Sequence, residues 1–339
     1  MALTWYYIYL SLSVVSPVQA TLARLTHHHS LAMRFSATVS AALLGASSVH
    51  AMGDLAFNLG VKKHDGTCKY TQDYLDDFEA LRPYTDTVKV YSTSDCNTLQ
   101  FLGPAADRAG FKLWVGVWPD DDAHFSMEKD ALKTYLPWIK SDTVRGFLVG
   151  SEALYRDDMP AEDLAKRINE VRNFVKDIKD INGNSFSGKP VGTVDSWNVI
   201  VDGRSRPVIE ASDLVMANAF SYWQGQTMQN ASYSFFDDIM QALQTVQTVK
   251  GSSDISFYVG ETGWPTEGSS FETSQPSLEN AKQFWKEGIC AMRSWGINTI
   301  VFEAFDEDWK PDTSGISDVE KHWGVFTADR KPKFNLSCD

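Results

Sequence analysis

The chain has 339 residues, 43% of them hydrophobic and 22% charged, and its 44 acidic and 31 basic side chains give a net charge of −13. Such an acidic surface repels nucleic acid and anionic membranes, so neither is expected as a partner. A neutral substrate is compatible with this charge, and the length is sufficient for one large α/β domain.

The N-terminus differs in composition from the rest of the chain. Residues 1–51 contain no acidic side chain and only two basic ones, Arg24 and Arg34. From Met33, a basic start is followed by an apolar run over 37–46 and a small-residue cleavage site ending at Ala51, the pattern of a signal peptide. The run is shorter than the about 20 residues that span a bilayer. We predict a signal peptide over 33–51; a buried N-terminal helix is the alternative.

The segment 1–32 carries a second apolar run, over 5–15, and a histidine triplet at 27–29. Because two export-like segments in series are redundant, we predict that translation starts at Met33 and that 1–32 is a gene-model extension. A longer, membrane-anchored form is the alternative. No linker or repeat divides the remainder, so one folded domain is predicted over 52–339.

The cysteines all lie within that predicted domain, at Cys68, Cys96, Cys290 and Cys338, and none has C-x-x-C spacing. An even number of cysteines in an exported chain favours disulfides over a metal site. Of the three possible pairings, sequence proximity favours Cys68–Cys96 with Cys290–Cys338.

Short apolar runs alternate with segments of helical periodicity along the domain. The runs predict strands over 55–61, 88–92, 112–118, 144–152, 191–197, 214–220, 255–262 and 299–305. Several runs are continuously apolar, as expected for a parallel sheet covered on both faces. Helices are predicted near 72–82, 98–109, 129–140, 233–249, from about 160 to 178 and from Ser277 to about 296, and Trp285 and Trp295 in the last are assigned to packing. This alternation predicts a (β/α)8 barrel; a doubly wound open sheet is the alternative.

Two predicted strands end in a glutamate that follows or nearly follows a glycine. The fourth strand runs to Glu152 and the seventh to Glu261. A charged group there cannot serve the core, because burying an unpaired charge is costly. One such glutamate is equally well explained as a salt-bridge partner, but two in matched places at the catalytic end of a barrel favour catalysis.

A pair of carboxyl groups facing one cavity is what glycosidic-bond cleavage requires. One group protonates the leaving oxygen, and the other, ionised, attacks the anomeric carbon or activates water. We expect Glu152 to be the acid/base and Glu261 the nucleophile, with their carboxyl groups about 5–5.5 Å apart as in retaining enzymes. Burial and neighbours would raise the pKa of Glu152, and hydrogen bonds would keep Glu261 ionised.

Other predicted strand ends carry groups suited to a sugar, because aromatic faces stack on pyranose rings and polar tips bind hydroxyls. These are Tyr91, Asp195, Ser196, Trp197, Asn218, Tyr222, Trp223 and Glu303. Asp306 and Asp308 are equally well explained as a solvated acidic loop. His64, His124 and His322 are widely scattered, so neither a metal site nor a Ser-His-Asp centre is expected.

Six stretches together resemble glycoside hydrolase family 17, in particular its fungal cell-wall glucan 1,3-β-glucosidases and glucanosyltransferases. They are residues 55–61, 149–155, 192–197, 216–222, 259–265 and 302–310. The resemblance covers 54–338 and implies a barrel with Glu152 as acid/base and Glu261 as nucleophile. It also implies an auxiliary charged cluster of Glu307, Lys310 and Glu320. Many members have asparagine directly before the acid/base glutamate. This chain has Ser151 there, and in this it resembles the transglycosylating fungal branch of the family.

The predicted substrate-binding set combines the strand-end groups with residues of these stretches: Tyr91, Ser151, Asp195, Asn218, Tyr222, Trp223, Trp264, Glu303, Glu307, Trp309 and Lys310. No cofactor is expected. The predicted partners are β-1,3-glucan donor and acceptor chains, and we expect a monomer. Glycosyl transfer is favoured over hydrolysis on the strength of the resemblance; a glucan-binding wall protein is the alternative of another class.

Two N-glycosylation sequons, at Asn230 and Asn335, agree with secretion to the cell wall. The residues 334–339 lack the apolar tail of a lipid-anchor signal, so no membrane anchor is expected in the mature form.

Overall fold

The structure is a computed structural model that describes residues 51–311 and 319–338. The predicted segments 1–32 and 33–51 lie outside the described residues, apart from Ala51. Within the described residues, no helix combines the length and the apolar character needed to cross a membrane.

The strands form a closed parallel barrel in sequence order, and β1 pairs with β8 to close it. They are β1 Leu55–Asn58, β2 Thr87–Val90, β3 Lys112–Val117, β4 Val144–Ser151, β5 Val191–Ser196, β6 Leu214–Asn218, β7 Ser256–Glu261 and β8 Asn298–Val301. The predicted (β/α)8 barrel is therefore confirmed. In this fold all carboxyl ends of the strands meet at one mouth.

Helices connect the strands around the outside of the barrel. They are α1 Thr71–Leu81, α2 Thr98–Ala109, α3 Asp122–Tyr135, α4 Ala161–Val175, α5 Trp197–Ile200, α6 Arg206–Ala211, α7 Met228–Lys250, α8 Leu278–Phe284 and α9 Ala291–Ser294, with a π-helical turn Trp285–Cys290 joining the last two. Short 3-10 turns cover Asp95–Asn97, Leu136–Trp138, Ser141–Thr143, Gly203–Ser205 and Val319–Lys321.

The structure corrects several predicted boundaries. Most predicted strands run past the observed ends, because apolar residues continue into the loops at the barrel mouth. Helix α3 begins at Asp122 rather than near 129, since the Asp121 side chain caps it by accepting a hydrogen bond from the His124 N–H at 2.8 Å. Trp295 was predicted to pack, but it is 67% exposed.

The core has two layers, which explains why the strands are apolar on both faces. The barrel interior is filled by Ala56, Trp114, Leu148, Val194, Leu214, Met216 and Ile300. The alternate strand residues, such as Phe57, Val115 and Phe147, belong to a larger buried cluster that includes residues of the surrounding helices. Substitutions that change volume in either layer would disturb the strands that carry the site.

Two disulfides join the pairs favoured by sequence proximity. Cys68–Cys96 links the loops that follow β1 and β2, with the Cα atoms 5.3 Å apart. Cys290–Cys338 ties the π-helical turn to the C-terminal segment, with the Cα atoms 5.4 Å apart. The predicted pairing is therefore confirmed.

Candidate active site

Two glutamates at the carboxyl ends of β4 and β7 line one cavity of about 510 Å³. Glu152 directly follows the last residue of β4, and Glu261 is the last residue of β7. The described lining residues are Glu152, Tyr155, Ser196, Trp197, Asn198, Phe220, Trp223, Gln224, Glu261, Phe302 and Glu320. Barrel closure thus brings together two acidic groups that lie far apart in the sequence.

The backbone at the end of β4 adopts an unusual conformation that aims Glu152. Gly150 has φ +81° and Glu152 itself has φ +57°. The left-handed region costs a residue with a Cβ about 1–2 kcal/mol. The Glu152 N–H is held by a hydrogen bond to the Val194 carbonyl at 2.9 Å. Strain of this kind persists where surrounding contacts enforce it, as at functional sites.

Asp195 supplies part of that enforcement from the end of β5. Its carboxylate accepts hydrogen bonds from the N–H groups of Leu154 at 2.9 Å and Tyr155 at 3.2 Å, within the turn that follows Glu152. The side chain is buried, and burial raises the pKa of Asp195 to about 6 against these bonds. Asp195 therefore orders the loop that carries Glu152, although it was predicted to bind substrate.

Glu152 lies in an environment that favours a protonated carboxyl near neutral pH. Burial and the charge of Glu261 raise the pKa of Glu152 to about 7. The Asn218 side chain, at the end of β6, opposes this shift by donating from Nδ2 to Glu152 Oε1 at 3.0 Å. A quarter of the Glu152 side chain stays exposed to the cavity. The group can therefore exist in either protonation state near neutral pH.

Glu261 lies in the opposite electrostatic environment. Its Oε1 atom is 2.8 Å from Lys89 Nζ and accepts a hydrogen bond from Ser151 Oγ at 3.3 Å. Gly260 precedes it, and a Cβ there would lie 2.7 Å from Val194 Cγ1 and 2.8 Å from Asn218 Oδ1. Only glycine allows β7 to approach its neighbours this closely, so Gly260 sets the position of Glu261.

Lys89, in β2, was missed by the sequence analysis. Its side chain is 1% exposed and also donates to the Gly260 carbonyl at 3.1 Å. Burial lowers the pKa of Lys89, and the carboxylate of Glu261 opposes that effect. The ammonium lies 4.9 Å from the centroid of the Tyr91 ring. A lysine inside an apolar run was the available signal, because a buried lysine needs a partner.

Aromatic side chains form one wall of the cavity. Phe220, Trp223 and Phe302 line it, and Phe220 packs edge-on against Phe302 with the ring centroids 5.7 Å apart. Phe220 and Phe302 were placed inside predicted strands, so neither was proposed as a site residue. They lie in fact just beyond the ends of β6 and β8, where a side chain can face the mouth.

Tyr222 and Trp264 lie behind this wall rather than on it. Tyr222 has no exposed surface, and its hydroxyl donates to the Ser269 carbonyl at 2.5 Å. Trp264 is 4% exposed and donates from Nε1 to the Gln275 carbonyl at 3.0 Å. Tyr222 packs edge-on against Trp223, and Trp264 packs edge-on against Tyr222. Neither buried ring can stack on a sugar in this conformation, which corrects their predicted role.

A second charged cluster adjoins the cavity after β8. Lys310 Nζ lies 2.8 Å from Glu303 Oε1 and 2.9 Å from Glu307 Oε2, and 4.7 Å from the centroid of Phe302. Burial and the neighbouring Glu307 raise the pKa of Glu303. Glu320 lines the cavity, and burial raises the pKa of its carboxyl. The charge of Lys310 opposes this rise.

Among the residues named from the sequence, those that the structure brings to the cavity surface are Glu152, Glu261, Ser196, Trp197, Trp223 and Glu320. Ser151, Asn218 and Tyr91 surround the two glutamates. Trp309 stands apart, with its ring 4.4 Å from Lys62 Nζ. The lining residues Tyr155, Asn198 and Gln224 were not proposed from the sequence, since nothing in a loop sequence reports which side chains face the mouth.

Asp95, His124 and Glu128 form a group close enough to hold a metal ion. Both Glu128 oxygens are already occupied, Oε2 by the N–H groups of Thr93 at 2.8 Å and Trp118 at 3.1 Å, and Oε1 by donors of the 92–94 loop. The group therefore orders two loops at the barrel mouth. It is a poor metal site, because both carboxylate oxygens of Glu128 already accept hydrogen bonds.

The family model described as "Glycosyl hydrolases family 17" matches residues 55–338. The chain belongs to glycoside hydrolase family 17. A glucan 1,3-beta-glucosidase of Saccharomyces cerevisiae is 68% identical over 311 residues, covering 91% of this chain and 99% of the relative. A glucan 1,3-beta-glucosidase of Candida albicans is 61% identical over 292 residues, covering 86% of this chain and 95% of the relative.

A solved structure of similar fold is an active-site mutant of Rhizomucor miehei β-1,3-glucanosyltransferase in complex with laminaritriose. It has a TM-score of 0.70 and 29% sequence identity, and the match covers 84% of this chain and 97% of that one. Membership of the family makes this chain an enzyme of glycosidic bonds, with the two glutamates of the cavity as its candidate catalytic groups.

Proposed function

We propose that this protein is a retaining enzyme of β-1,3-glucan that transfers the cleaved glycosyl group to another glucan chain. The observation that carries the proposal is the pair of carboxyl groups in one cavity, Glu152 and Glu261, held in opposite electrostatic environments. The substrate class rests on the relatives, which are named for glucan 1,3-β-linkages.

In the first step, the Glu261 carboxylate attacks the anomeric carbon while the glycosidic carbon–oxygen bond breaks. Glu152 donates its proton to the departing oxygen, and the product is a glycosyl ester of Glu261. The raised pKa of Glu152 supports the acid role, because the carboxyl still holds a proton near neutral pH. Lys89 supports the nucleophile role, since its ammonium stabilises the ionised carboxylate.

In the second step, the carboxylate of Glu152 removes a proton from an incoming hydroxyl, whose oxygen displaces Glu261 from the anomeric carbon. The incoming hydroxyl belongs to a sugar in transfer and to water in hydrolysis. The chemistry up to the ester is shared, so the outcome depends on how well an acceptor sugar competes with water. Phe220, Trp223 and Phe302 are an apolar wall on which an acceptor ring could stack.

Hydrolysis is the second candidate, because the similar yeast enzymes are named as glucosidases. Time-resolved product analysis with reduced laminari-oligosaccharides, beside a Glu261→Gln control, separates the two. Products longer than the starting sugar, absent in the control, would support transfer through Glu261. Shorter products alone would make the protein a hydrolase, and equal turnover by the control would remove Glu261 from the mechanism.

We also propose that the protein is secreted as a monomer and resides in the cell wall. The exposed Asn230 and Asn335, each in a sequon, support passage through the secretory pathway. Sedimentation analysis of protein purified from its own culture medium, before and after glycosidase treatment, tests both statements. A dimer mass, or absence of the protein from wall and medium, would contradict them.

A further inference from the structure

Arg156 lies close to the carboxyl group of Glu152 but does not line the cavity. Its Nη1 atom is 3.9 Å from Glu152 Oε2. Its Nη2 atom donates to the Ser151 carbonyl at 2.7 Å and to Asp158 Oδ2 at 2.8 Å. The guanidinium stacks 5.0 Å from the centroid of the Trp118 ring. These contacts fix a cation beside one oxygen of Glu152, while Asn218 binds the other.

The charges that face Glu152 come from several elements. Glu261 on β7 and Asp195 on β5 are anions that favour the protonated carboxyl. Arg156, one turn further along the same loop, favours the ionised carboxylate, and Lys89 on β2 also interacts with it. Asp158 faces Arg156 rather than Glu152, and it shares the guanidinium charge.

We propose that Arg156 is a positioning residue that balances the two protonation states of Glu152. The inference rests on the proposed function, in which Glu152 first gives a proton and then removes one. The arginine favours the ionised form that the second step needs, and it competes with the anions and the burial that favour the acid. Asp158 adjusts this effect by holding the guanidinium. No contact between Arg156 and the substrate is required.

The test compares pH profiles of kcat/KM on reduced laminari-oligosaccharides for the native protein, Arg156→Gln and Arg156→Lys. Losing the cation raises the pKa of Glu152, so the acid form persists to higher pH. Arg156→Gln should move the alkaline limb upward by about 0.7 pH unit. This is the pKa shift expected from one unit charge about 4 Å away when it is screened as in water. Arg156→Lys should recover part of the shift, because it keeps the charge but loses the forked geometry.

Asp158→Asn provides a prediction of opposite sign. Removing the anion leaves more of the guanidinium charge to Glu152, so the alkaline limb should move downward. Arg204→Gln is the matched control, since Arg204 pairs with Asp157 at 3.1 Å and, within the described part of the chain, forms no hydrogen bond or ion pair with Glu152. Its profile should equal that of the native protein.

A second substrate separates failure of this inference from failure of the proposed function. The 2,4-dinitrophenolate of a 2,4-dinitrophenyl laminaribioside departs without protonation, so Glu152→Gln should form the glycosyl ester of Glu261 from this substrate yet fail to cleave the oligosaccharide. Full oligosaccharide cleavage by Glu152→Gln would overturn the proposed function.

If Glu152→Gln behaves as expected but Arg156→Gln leaves the alkaline limb in place, only the inference on Arg156 is overturned. If Arg156→Gln does not fold, as judged by circular dichroism, Asp158→Asn decides. A downward shift supports the proposal, and an unchanged or upward limb refutes it.

Discussion

Replacing Lys89 by methionine would remove the cation of a buried ion pair while keeping the length of the side chain. Lys89 Nζ is 2.8 Å from Glu261 Oε1, and the two side chains are 1% and 8% exposed. Removing one partner of such a pair costs about 3–5 kcal/mol, because the other charge is left buried and unpaired. In a domain of this size that corresponds to a melting temperature about 10 °C lower.

The assay is thermal and urea unfolding with the disulfides intact, together with kcat/KM on laminari-oligosaccharides. Lys89→Met should lose about 10²-fold in kcat/KM, the cost of removing one electrostatic contact from a catalytic centre. Lys69→Met is the matched control: Lys69 pairs with the buried Asp77 at 2.9 Å, away from the two glutamates. It should lose less stability than Lys89→Met, because Asp77 keeps its ion pair with Arg330 at 2.7 Å, and it should keep native kcat/KM.

A double variant, Lys89→Met with Glu261→Gln, removes both charges and should recover most of the lost stability. The reasoning would be refuted if the free energy of unfolding of Lys89→Met lay within about 0.5 kcal/mol of that of the native protein. It would equally be refuted if the double variant were no more stable than Lys89→Met alone, because the cost would then not come from the unpaired carboxylate.

The remaining predictions concern the neighbours of the two glutamates and the covalent links. Asn218→Ala removes a hydrogen bond that lowers the pKa of Glu152, so the alkaline limb of the pH profile should move upward; a downward move would contradict this. Trp223→Ala should lower the ratio of transfer to hydrolysis without abolishing cleavage, measured by product analysis; an unchanged ratio would exclude Trp223 from the acceptor site. Replacing Cys290 and Cys338 by serine opens a link of sequence separation 48. Loop-closure entropy gives a loss of about 4 kcal/mol for such a link, measurable by urea unfolding, and a loss below about 1 kcal/mol would contradict it.

The sequence was sufficient for the barrel and for its two catalytic candidates because both depend on local patterns. Continuous apolar runs predict buried parallel strands, and a glutamate directly after such a run cannot belong to the core. The residues that determine the charge state of these glutamates were not accessible in the same way. Lys89 and Glu261 are 172 residues apart in the sequence, and only closure of the barrel brings them into contact.

Aromatic residues show the same limit. Tyr222 and Trp223 are adjacent in the sequence, yet Trp223 lines the cavity and Tyr222 is fully buried behind it. Composition cannot separate them, because the direction of each ring is set by the packing of Trp264 and Trp323 around the loop. Trp295 fits the apolar spacing of its helix but lies on the surface, since the helix ends at Ser294 and its geometry no longer applies.

The central claim, that Glu261 forms a covalent intermediate, is tested most directly by trapping it. In a 2-deoxy-2-fluoro laminaribiosyl fluoride, the fluorine at C2 slows both formation and breakdown of the glycosyl ester. The fluoride at C1 departs without an acid, so the ester should still form and then accumulate. Peptide mass spectrometry should place one disaccharide on the peptide that contains Glu261, and Glu261→Gln should carry none. A label on another carboxylate, or no label while oligosaccharides are cleaved with inversion, would contradict the account.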